Sequence, residues 1–84
     1  MIVVTDIFQD PEVADNMIVA VDFDHEGQPY SRERSIPKAT LDGYTELEFR
    51  TAIINAVNAI RVDLGATSIY NKFQPLIGQD LEAT

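Results

Sequence analysis

One helix limits what this chain can fold into. Thr45 followed three residues later by Glu48 forms a capping box, and Glu46 adds favourable charge to the first helical turn. Beyond that cap, Phe49, Ile53, Ala56, Val57, Ile60 and Leu64 lie within about 50° of one line when each residue advances 100°. This is the apolar stripe of a helix that must lie on something. Gly65 follows the last stripe residue and predicts a stop near residue 64. Leu47, Ile54 and Val62 fall well outside the stripe, so a second side of the helix is expected to meet a partner.

Three strands are expected to supply the surface under the helix. Residues 2–8 are rich in Ile, Val, Thr and Phe, although Val3 and Ile7 break a strict alternation. In residues 17–24, Val19, Val21 and Phe23 take one face and Ala20, Asp22 and Asp24 the other. In residues 29–36, Tyr30, Arg32 and Arg34 alternate with Ser31, Glu33 and Ser35. His25-Glu26-Gly27-Gln28 joins the last two strands, with Gly27 suited to a type I turn followed by a bulge. On that reading Arg32 and Arg34 lie across from Asp22 and Asp24.

Residues 9–16 read as a loop or one helical turn capped by Asp10, with Pro11 at the first helical position. Residues 37–43 read as a linker. Residues 66–77 fit a helix or a short strand until Pro75 interrupts, and 78–84 read as a frayed tail. The expected fold is α+β, a small antiparallel sheet of about three strands packed on one main amphipathic helix, in one domain over 1–84.

Charge and composition narrow the function. Residues 1–48 carry 11 acids against 3 bases, whereas residues 49–84 carry 3 of each, so the net charge of −8 belongs to the first part. That acidity opposes direct contact with nucleic acid or anionic membrane, because phosphate contacts need Lys and Arg. There is no cysteine for a disulfide or thiolate metal site. The start of the chain lacks the basic and apolar regions of a signal peptide, so secretion by one is not expected.

Chemistry-bearing patterns are few. Asp22, Asp24, Glu26, Gly27 and Glu33 match a calcium loop at positions 1, 3, 5, 6 and 12. However, MIVAVDF reads as a strand where that loop needs an entering helix, so a solvated hairpin turn is the preferred reading. His25, the sole histidine, is expected to be a solvent-exposed turn residue. Ser31 and Ser35 have no base nearby in sequence. Tyr44, Tyr70 and Phe73 could stack on bases, but without a basic groove they read as core or interface aromatics. No catalytic residue, metal ligand or cofactor is assigned.

The stretch VDFDHEGQPYSRERSIP, followed by LDGYTELEFRTAIINAVNAIRVD, resembles small proteins encoded among the structural and assembly genes of tailed bacteriophages. In those proteins an acidic hairpin with a D-x-x-G-x-P turn precedes one amphipathic helix. Here the turn is Asp24-His25-Glu26-Gly27-Gln28-Pro29, and the resemblance covers roughly residues 17–63. It implies a non-enzymatic virion or assembly role and carries no functional residue across. The expected partners are protein subunits of a larger assembly or further copies of this chain, met through Leu47, Ile54, Val62, Tyr70 and Phe73. Two alternatives are an acidic inhibitor that imitates DNA and a calcium-binding module.

Overall fold

The computed structural model describes residues 1–82. Its elements in chain order are β1 (Ile2–Gln9), β2 (Asn16–His25), β3 (Gln28–Pro37), α1 (Lys38–Asp42) and α2 (Glu46–Phe73). A single 3-10 turn, Gln74–Leu76, follows. The strands form one antiparallel sheet in the order β1-β2-β3, and α2 lies across one face, so the fold is α+β. Residues 37–43, expected to be a linker, contain the short helix α1.

The core forms where period two meets period 3.6. Val19, Val21 and Phe23 project from one face of β2, and Ile53 and Val57 come down from α2 to bury them. Ile2, Tyr30, Ile36, Phe49, Ile60 and Leu64 close the edges. Among the described residues only five hydrophobic side chains are buried, and only Phe23, Val19 and Val57 fully so, a small core for a chain of 84 residues.

The β2–β3 register is not the one expected. The loop has two residues, Glu26 and Gly27, both at positive φ (52° and 78°), which defines a type I′ turn rather than a type I turn with a bulge. Asp22 therefore sits opposite Ser31 and Asp24 opposite Pro29, while Arg32 pairs with Val21 and Arg34 with Val19. The expected Arg–Asp cross-strand pairs do not form. Arg32 and Arg34 are registered to Val21 and Val19, which face α2, so both arginines start from the helix side of the sheet.

The interrupted alternation of β1 has a physical cause. A bulge between Val4 and Asp6 resets the register, so that Ile2 and Val4 before it, and Ile7 after it, share the helix-facing side. The Thr5 hydroxyl, at the bulge, donates to the carbonyl of Ala20 at 3.3 Å.

Two other expectations change. The loop after β1 makes no helical turn; the Asp10 carboxylate instead accepts the amides of Glu12 (2.8 Å) and Val13 (3.2 Å). Gly65 does not stop the helix, and α2 continues for 28 residues through Phe73. An interior glycine costs only about 1 kcal/mol relative to alanine, and no proline appears until Pro75, so the backbone ladder runs on. Pro75, which lacks an N–H, lies at the start of the 3-10 turn where the α-helix ends. Of the tail expected over 78–84, residues 83–84 lie outside the described residues.

Candidate protein interface

The N-terminus of α2 is fixed as its sequence demands. The Glu48 amide donates to Thr45 Oγ1 at 3.2 Å, and the Thr45 amide donates to Glu48 Oε1 at 3.3 Å. From this cap the core stripe carries the helix over the sheet as far as Leu64. Beyond Leu64, α2 has no sheet beneath it. The molecule measures 59 × 27 × 19 Å with a radius of gyration of 17.9 Å. A compact domain of this length has a radius of about 12 Å.

The side of α2 away from the sheet, and all of the overhang, leave apolar side chains in solvent. Leu47, Ile54 and Val62 are all exposed, Leu47 and Val62 by more than two thirds, and Tyr70 and Phe73 are about half exposed. Ile69, Leu76 and Ile77 are exposed beside them. Projected at 100° per residue, Leu47, Ile54, Val62 and Ile69 fall within about 40° of a single line, with Phe73 on its flank and Leu76 following in the 3-10 turn. This line lies roughly 150° around the helix from the core stripe. Tyr70 points to the other side and does not join it. Sequence reasoning missed Ile69 and Leu76 as members of this row. Their spacing was present, but ending the helix at Gly65 cut the row in two.

The sheet presents a second exposed area. β1 is an edge strand, and Val3, Val4, Ile7 and Phe8 remain partly in water. The face of the sheet turned away from α2 carries Asp6, Asp22 and Glu33, and no Lys or Arg of the strands is registered to that face. β3, the other edge, is protected by its charges and by Pro29 and Pro37.

The acidic residues that sequence reasoning grouped together have separate structural roles. Asp22 accepts the Ser31 hydroxyl at 2.6 Å. Asp24 accepts the Met1 ammonium at 2.7 Å and Arg61 Nη2 at 3.2 Å. The ammonium, by hydrogen bond and by charge, is the main reason that the Asp24 carboxyl titrates below its usual range. Arg61 also donates through Nε to the carbonyl of Asp24 at 2.9 Å, and its guanidinium lies 5.7 Å from the Phe23 ring centre. Asp10 is buried, and its Oδ2 accepts the Ser35 hydroxyl at 2.6 Å. That bond, followed by the amide of Glu12, holds its carboxyl below the ordinary value.

His25 is not the exposed turn residue expected from sequence. Its side chain is only 17% exposed, edge-on to Tyr30, with Nε2 shielded and 3.7 Å from Glu26 Oε1. The two-residue turn places it at the last ladder position, opposite Gln28, where Tyr30 covers it. Ser31 and Ser35 are held by Asp22 and Asp10 respectively. Tyr44 is half-buried beside Ile7, Met17, Leu41 and Phe49.

Among the described residues, no three His, Cys, Asp or Glu side chains converge as metal ligands. Asp22 and Asp24 lie on a β-hairpin, not between two helices. No helix of the described residues is long and apolar enough to cross a membrane. No protein-family model, curated protein or solved structure matches the chain.

Proposed function

We propose that this chain is a non-enzymatic structural or assembly protein, a component of a tailed-bacteriophage particle, that works through protein contacts on the outer face of α2. The exposed row Leu47, Ile54, Val62, Ile69 and Leu76 carries this reading, since it gives a long helix a second apolar face that its own sheet does not cover. The total accessible surface is 6365 Å². A compact monomer of 9.4 kDa exposes about 5,000 Å². The excess reflects the extended shape, in which α2 runs beyond the sheet.

The resemblance of the hairpin and helix to phage assembly proteins supplies the setting. The test is mass spectrometry of purified particles and assembly intermediates from the producing cells. The chain is expected in one of them at a fixed ratio to the major subunits. Its absence from both would refute the reading.

The outer sheet face favours a second reading. Asp6, Asp22 and Glu33 share it without a strand base, which suits contact with a basic protein in the manner of a DNA mimic. Asp10 and Asp24 are committed to structural bonds, so the relevant variant is Asp6→Asn with Asp22→Asn and Glu33→Gln. Loss of a salt-sensitive complex in this triple variant would support mimicry, and an unchanged complex would end it.

A further inference from the structure

We infer that the outer face of α2 is the seat of a two-fold homodimer, in which the row on one chain lies antiparallel against the same row on a second copy. This rests on the assembly reading above and names its first partner. From Leu47 to Ile69 the row steps by seven, eight and seven residues, a mean close to two α-helical turns, so it runs nearly straight along α2, and Leu76 follows it in the 3-10 turn.

The row also reads nearly the same in both directions. An antiparallel copy places Leu47 beside Leu76, Ile54 beside Ile69, and Val62 at the two-fold axis beside Val62 of the second copy. A two-fold interface requires this self-complementarity, because one patch must match itself. At intermediate positions Asn58 of one chain falls opposite Gly65 of the other. A Cβ built at Gly65 meets nothing within 4 Å, so this point of the row has room for the neighbouring helix.

Charge favours a second copy on this face and not on the sheet. Residues 49–84 carry three acids and three bases, so most of the helix surface is neutral, while the acidity of residues 1–48 is mainly on and around the sheet. Contact through the outer face of α2 keeps the two acidic sheets on opposite sides of the dimer. The antiparallel arrangement also sets each helix N-terminus beside the C-terminus of its neighbour, with the macrodipoles opposed.

The chain has no cysteine, which makes disulfide trapping clean. The full chain at tens of micromolar is expected to sediment at twice 9.4 kDa, and Val62→Asp at 9.4 kDa with its helical circular dichroism retained. Under mild oxidation Val62→Cys is expected to link to itself, whereas Asp63→Cys, exposed but about 140° around the helix from the row, is not. Leu47→Cys mixed with Leu76→Cys is expected to cross-link. Self-linking of Leu47→Cys alone would indicate a parallel pair and overturn the proposal, as would a wild-type monomer. If that monomer still joined particles, and Val62→Asp did not, the row would be a contact for a different subunit. The homodimer would then fall and the assembly reading would stand. A Val62-centred dimer that is absent from particles would leave the homodimer standing and remove the assembly reading.

Discussion

Arg61 of α2 closes over Phe23 of β2: its guanidinium lies 5.7 Å from the ring centre while Nε donates to the carbonyl of Asp24 at 2.9 Å. This residue clips the middle of the helix to the end of the sheet, at the edge of a core built on Val19, Phe23 and Val57. Arg61→Ala removes the stacking, worth about 1 kcal/mol when partly desolvated. It is expected to lower Tm by about 4–8 °C, measured by circular dichroism. Arg61→Lys keeps the charge but loses the planar fork, and should fall between the two.

Asp10 makes stability depend on acid. Its carboxyl titrates below the ordinary 3.8, first because Ser35 donates to it and then because the Glu12 amide does. A carboxyl with a depressed folded-state value stabilises fully above its unfolded value and loses that contribution as pH falls through the folded value. Tm should therefore decline below about pH 4. Asp10→Asn should lower Tm at neutral pH and flatten that acid decline. An Asp10→Asn curve parallel to wild type would contradict this role.

The hairpin turn stores a small strain. Glu26 has a φ of 52°, a left-handed conformation that costs a residue bearing a Cβ about 1–2 kcal/mol. Asparagine tolerates that conformation and is favoured at this position of a type I′ turn. Glu26→Asn should raise Tm. Gly27→Ala, at a φ of 78°, should lower it although a new Cβ there meets no neighbour.

Gly65 separates propensity from packing. Alanine at an exposed helix interior is worth about 1 kcal/mol over glycine, so Gly65→Ala should raise the stability of the isolated chain. In a close helix pair the added methyl meets the neighbouring helix. Gly65→Ala should therefore stabilise at high dilution and weaken association in concentration-dependent melting.

The sequence was most readable where one local rule acted alone. The Thr45–Glu48 cap, the stripe from Phe49 to Leu64 and the Val19–Val21–Phe23 face could all be read from spacing, because periodicity reports which side is buried. The β2–β3 register could not, because the side chains of Glu26 and Gly27 do not announce a two-residue loop, and the register that this loop sets puts Arg32 and Arg34 on the helix side. Gly65 misled because a glycine ends a helix only when it takes the left-handed conformation, which the following Ala66 and Thr67 do not compel. Leu47, Ile54, Val62 and Phe73 were legible as an exposed apolar side, but the full row with Ile69 and Leu76 required the whole helix. The roles of Asp10 and Arg61 depend on contacts 25 and 37 residues away in sequence, beyond any local pattern.

The most direct measurement is affinity capture of the tagged chain from its producing cells, run in parallel on wild type and Val62→Asp, with the bound proteins identified by mass spectrometry. The expected result is recovery of capsid, neck, tail or baseplate subunits by wild type, and their loss with Val62→Asp. Equal recovery by both chains, or capture of a basic nuclease that moderate salt releases, would contradict an interface on the outer face of α2.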